Sequence, residues 1–207
     1  MTTRTLGRVV SRLDYEDFAR AYAGIAKAQA EVLPLRGGRG IVVSVAAEDG
    51  AALDASSPVW TNLLEALKAA GDPLVPVQLL AAQQSTLQIG LKVACDPAHD
   101  EDVVLAAVET ALRAAFSFDA RALGQPVQQS EVIAATQAVT GVVAVDLDWL
   151  YGGSTPLAQT LPSLQARLLA SRARIGPDGL PRPAELLTLA TGPLVALAAM
   201  DVEGVHP

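Results

Sequence analysis

Two stretches far apart in this chain use one device, and the repetition narrows the folds open to it. In "RVVSRLDYEDFARAYAGIAKAQAEV" (residues 8–32), Asp14 can cap a short helix in which Tyr15, Phe18, Ala19 and Tyr22 recur at helical spacing. Gly24 supplies the left-handed residue that ends it. Ala26, Ala28, Ala30 and Val32 then alternate with Lys27, Gln29 and Glu31, the period-two pattern of a strand with one wet face. In "QSEVIAATQAVTGVVAVDLDWL" (residues 129–150), Ser130 caps and Val132, Ile133, Thr136 and Val139 carry the helix. Gly141 terminates it, and Val143, Val145, Leu147 and Trp149 alternate along the next strand.

Between these units, "IVVSVAA" (41–47) reads as a more fully buried strand. A helix follows with Ser57 as N-cap, Pro58 in its first position and Gly71 at its stop, and with Val59, Leu63, Leu67 and Ala70 on its apolar face. "LVPVQLL" (74–80) is the next strand, and Pro76, lacking a backbone donor, places it at a sheet edge or at a strand start. In "STLQIGLKVACD" (85–96), Leu87, Ile89, Leu91, Val93 and Cys95 share one face, so Cys95 is expected to point inward. A strong helix then begins at Asp100, with Glu101 and Asp102 in the first turn, and runs to about Phe116. This order predicts the α+β class: two small ferredoxin-like α/β sandwich units with mostly antiparallel sheets, at 1–82 and 83–152. Residues 153–207, broken by prolines and by turn signals such as "PDG", read as an irregular C-terminal extension ending in one apolar strand.

Composition removes several functional classes. A net charge of −7 with 15 scattered Lys and Arg is wrong for a surface that neutralises phosphates, so nucleic acid is not an expected partner. A lone cysteine makes no internal disulfide, and no leader pattern opens the chain, which reads as made and kept in a reducing compartment. The longest apolar run, 186–200, is too short for a membrane span and is interrupted by Gly192-Pro193.

No catalytic constellation emerges. Asp14, Glu16 and Asp17 fall in the first turn of a helix, where carboxylates complement the macrodipole. His99 and His206 are isolated from each other and from Cys95, which gives no metal-ligand spacing and no nucleophile with its base. Asp146 and Asp148 sit on the polar side of a strand, as solvated charge does. "LRGGRG", with Arg36 and Arg39, lacks the lysine and hydroxyl of a phosphate-binding loop and reads as a hairpin. No catalytic, cofactor or metal residue is therefore expected. Trp60, Trp149, Tyr151, Leu186, Leu187 and Leu189 remain as large apolar groups that suit either a core or a partner surface.

Residues 7–32 resemble the segment of baseplate J-like proteins in which a Val-Ser and an acidic-Tyr-Glu helix lead through a Gly-Ile pair into a strand. "LGQPVQQSEVIAATQAVTGVVAVDLDWL" resembles a second segment of that family, "LQIGLKVACDPAHDEDVVLAAVETAL" fits the strand and long helix between, and "PAELLTL" resembles its tail. The resemblance covers roughly residues 4–150. It departs at Thr140, where a proline often stands, and in the large N-terminal region usual before this point, so the chain reads as a C-terminal portion or a compact variant. It implies a non-enzymatic wedge component of a contractile injection machine, such as a phage tail or tailocin, that binds neighbouring copies and other baseplate proteins. The implied location is the cytoplasm during assembly and then the particle. A ferredoxin-like module binding a small metabolite is the alternative.

Overall fold

The computed structural model describes residues 9–36, 38–50, 53–153, 165–192, 194 and 197–200. In chain order the elements are α1 (Arg12–Arg20), β1 (Ile25–Leu35), β2 (Gly38–Ala47), a 3-10 turn (Glu48–Gly50), α2 (Pro58–Ala70), β3 (Val77–Ala81) and β4 (Gln83–Cys95). There follow α3 (Glu101–Ala115), β5 (Val127–Gln128), α4 (Gln129–Gln137), β6 (Val142–Gly152), β7 (Arg167–Leu168), β8 (Arg174–Ile175), β9 (Pro181–Arg182), β10 (Glu185–Leu189) and β11 (Leu197–Ala199). The class is the expected one: mixed helices and open, mostly antiparallel sheets. Two compact units result, the first from residues 1–84, 122–125 and 170–186, the second from 85–121, 126–169 and 187–207. Of the described residues beyond 153, those at 170–186 fall in the first unit and those at 165–169, 187–192, 194 and 197–200 in the second.

In the first unit β1 and β2 pair antiparallel, and β2 and β3 pair parallel after the α2 crossover. β3 is an edge strand, and Pro76 stands just before it, where its carbonyl accepts the Ile41 N–H. That agrees with a residue that cannot donate into a ladder. α1 and α2 cover the sheet, and Tyr15, Ala19, Ile41, Val43, Val45, Leu63, Leu67 and Leu79 form the core. Burying each large aliphatic side chain contributes about 1.5–3 kcal/mol before entropy is counted.

The N-cap of α1 is Ser11, not Asp14. Asp14 is the third helical residue, and its carboxylate accepts the Ser11 and Val10 N–H groups, closing a capping box that the sequence reading placed three residues too late. Ser57 and Pro58 open α2 as expected. Gly71 follows α2 with φ −87°, so its role is space: a β-carbon there would overlap the Tyr15 hydroxyl.

The anticipated wet face of β1 is largely covered. Gln29 is buried, and Glu31 pairs with Arg172 at 3.1 Å. The C-terminal segment of this unit packs there: β8 lies against β1, and Ala184 donates its N–H to the buried Ser44 hydroxyl on β2 at 2.9 Å. Glu185 donates to the Ser171 carbonyl and accepts from the Gly124 N–H, so residues 122–125 and 170–186 are tied together. Sequence periodicity along β1 cannot register a cover that arrives some 140 residues later.

In the second unit β6 runs antiparallel along one edge of β4, from Leu87 to Cys95. The other edge holds β11, parallel at Leu91–Val93, and β10 upstream, where Ala190 donates to the Leu87 carbonyl. Asp100 caps α3, as predicted, and Val104, Val108 and Leu112 are its buried face. For α4 the cap position is Gln128 instead of Ser130, with the Glu131 carboxylate accepting the Gln128 N–H. The alternation expected along β6 fails at both ends. Val143 is 61% exposed, while a register shift opposite Gly90 and Leu91 turns Leu150, not Trp149, fully inward. A bulge of this kind moves every later side chain to the other face.

Candidate functional site

The residues that looked chemical from sequence are occupied in holding backbone. Glu16 on α1 accepts from Arg12 Nη1 at 2.5 Å and from the Ala30 N–H, while Arg12 donates to the Ala30 carbonyl. Helix α1 thus grips both polar groups of one residue of β1. Two amide donors hold the exposed Asp14 carboxyl below its usual range, those of Ser11 and then Val10. Asp17 pairs with Arg20 on the surface. No active-site pair of carboxylates is assembled from these three.

His99 is 3.6 Å from Asp96 and partly exposed, and His206 lies outside the described residues. Cys95 is half-buried, its thiol pushed up by desolvation and then by the charge of Glu101. Such a thiol is a poor nucleophile at neutral pH. Asp148 pairs with Lys92 across the β4–β6 ladder at 3.2 Å. Among the described residues no three His, Cys, Asp or Glu side chains gather closely enough to hold a metal ion, and no helix is long and apolar enough to cross a membrane.

The large apolar candidates separate by burial. Tyr151, Leu186 and Leu187 are buried inside the chain, with Tyr151's phenol pushed up by desolvation. Trp60, which packs on the first core, Trp149 and Leu189 are half-buried and keep surface. Gly24 and Gly141 have φ +86° and +90°, the left-handed region at each helix-to-strand turn.

Two features escaped the sequence reading. Arg121, 4% exposed, donates to the Pro126 carbonyl, pairs with Glu131 at 3.2 Å and lies 5.4 Å over the Phe116 ring. In "FDARALGQP" nothing distinguishes it from a solvated loop arginine. Arg113 pairs with Glu109 one turn back and donates to the Ala190 and Gly192 carbonyls, and Glu109 accepts the Leu194 N–H. This clamp fixes the approach to β11 against α3.

Two concave surfaces lie in the first unit. One hollow of about 440 Å³ is lined by Val10, Tyr15, Val32, Arg39 and Asp72 among others. A second, of about 390 Å³, is walled by Pro34, Leu35, Pro76, Leu180 and Pro181, with Arg36 at its side. It lies between the tip of the β1–β2 hairpin, where Leu35 pairs with Gly38, and the turn joining β8 to β9. Both are partly open, mainly apolar hollows with arginines beside them.

The family model described as the Baseplate J-like central domain matches residues 7–80. No curated protein matches the chain. Among solved structures, a chain from the six-fold symmetrised cryo-EM structure of the anti-feeding prophage baseplate aligns with a TM-score of 0.54 at 14% identity. The alignment covers 73% of this chain and 35% of that one, so this chain spans about a third of the length of the protein it matches. At that identity the likeness concerns the fold. The matched stretch takes in the first unit's helix, glycine turn, hairpin and crossover, from Ser11 through the edge strand β3, and this part of the chain is similar to a baseplate J-like central domain.

Proposed function

We propose that this protein is a structural component of the baseplate of a contractile injection system, in the wedge position, working through protein–protein contacts and not through catalysis. The observation that carries the reading is the match of the central domain to residues 7–80, together with a fold shared with an anti-feeding prophage baseplate chain. The physical description is compatible. Polar groups that could have formed a site are used for caps and clamps, and the two hollows of the first unit are mainly apolar. Its partners on this reading are other baseplate proteins and further copies of the chain, and its location is the assembled particle.

Deleting the gene from a producing strain tests the role. The expected result is loss of complete particles, with free tube or sheath material remaining, and their recovery on complementation. Particles that assemble with normal baseplates in its absence refute the proposal. The tagged chain should also be recovered with purified particles at a fixed stoichiometry, and its absence from them would count equally against the reading.

A further inference from the structure

The charge of this chain is divided unequally. The first unit holds eleven Lys and Arg against eleven Asp and Glu, and the second holds four against eleven, so the whole net charge of −7 resides in the second unit. Within the first unit, Arg12, Arg20, Arg172 and Arg182 pair with carboxylates. Arg36, Arg39 and Arg174 make no ion pair among the described residues; of these Arg36 lines the proline-walled groove, at the tip of the β1–β2 hairpin, while Arg39 lines the other hollow. Leu180, on that groove, is 55% exposed. The second unit offers the complement. At the start of α3, Val103 is 66% exposed and follows Glu101 and Asp102, both exposed.

We propose that copies of this chain associate head to tail, the start of α3 of one copy seating Val103 in the groove of the next while Glu101 and Asp102 meet Arg36. The inference rests on the assembly role argued above and names the surface for it. Unlike patches meeting in this way make a heterologous contact, which propagates into a ring or an open chain instead of stopping at a two-fold dimer. The charges steer the encounter, and the apolar seat supplies the desolvated centre.

Sedimentation of the full-length chain tests this. At about 20 mM salt the wild type is expected to exceed the 21.4 kDa monomer, and at about 500 mM, where exposed charges are screened, to return to it. R36E and E101K/D102K should each weaken self-association by about tenfold or more. The second variant lowers the net negative charge, so its loss of association cannot come from general repulsion. L180E repeats the groove test without touching the arginine, and E101Q/D102N repeats the helix test should the lysines unfold α3. The decisive sample is an equimolar mixture of L180E and E101Q/D102N: each retains the half the other has lost and the two altered halves do not complement each other, so the mixture should give a dimer that grows no further. A wild type monomeric at low salt, variants that associate like wild type, or a mixture that stays monomeric would each overturn the proposal. If that happens while the chain is still recovered with particles, the surface is wrong and the baseplate reading stands. Absence from particles refutes that reading instead.

Discussion

Replacing Gly24 and, separately, Gly141 with alanine asks the same backbone question in two different surroundings. Both residues have positive φ, where an L side chain costs about 1–2 kcal/mol. Alanine also narrows the unfolded ensemble, which returns about 0.4–1 kcal/mol. At Gly24 the added methyl would lie 3.5 Å from Val59 Cγ1, an ordinary contact, so the net loss should be about 1 kcal/mol. At Gly141 it would lie 2.8 Å from Val104 Cγ2 and 3.0 Å from His99 Cγ, adding an overpacking cost of about 1–3 kcal/mol. Gly141→Ala should therefore lose about 2–4 kcal/mol. The chain carries its own reporters: of its two tryptophans, Trp60 lies in the first unit with Gly24, and Trp149 in the second with Gly141. Urea unfolding followed by fluorescence in Trp149→Phe and Trp60→Phe backgrounds reads each unit separately. Gly24→Asn should recover part of what Gly24→Ala loses, because asparagine tolerates the left-handed region. Equal losses at the two glycines, or a stabilising Gly24→Ala, would refute the reasoning.

Three further outcomes follow from single contacts. Ser44→Ala removes the acceptor for the Ala184 N–H inside a buried strand, and should cost about 1–2 kcal/mol and speed hydrogen exchange at Ala184 before that of the β2 amides; unchanged exchange there would show that the hydroxyl does not hold the C-terminal segment. Gln29 Oε1 is buried without a hydrogen-bond partner among the described residues, so Gln29→Met should stabilise the first unit by about 1 kcal/mol, and a clear loss would show the amide to be satisfied. Asp14 has a folded pKa below its unfolded value, so its contribution to stability is present above the unfolded pKa, about 3.9, and is lost as pH falls through the folded value. The gap in melting temperature between wild type and Asp14→Asn should accordingly be full at neutral pH and close below about pH 4; a gap that widens on acidification contradicts the assignment.

Much of the fold was legible because it is locally encoded. Asp100, Ser57 and Pro58 start helices through their own side-chain chemistry, and Leu63, Leu67, Val104, Val108 and Leu112 fall inward by helical period alone. The errors have local reasons as well. Ser11 and Asp14 cap one helix jointly, and the carboxylate drew attention away from the hydroxyl three residues earlier. Along β6, one bulge inverted the facing of Trp149 and Leu150, which a strict period of two does not allow for.

The sequence by itself determined the class of fold, the glycine turns and the lack of a conventional catalytic motif, since each depends on residues within about one turn or one strand of each other. Tertiary structure alone decided the rest. Arg121 became a buried anchor, the polar side of β1 acquired a cover from residues 170–186, and Arg113 came to hold the carbonyls of a segment 77 residues away. These depend on where distant parts of the chain meet. Periodicity records which face of an element is apolar, but it carries no record of what will cover the other face.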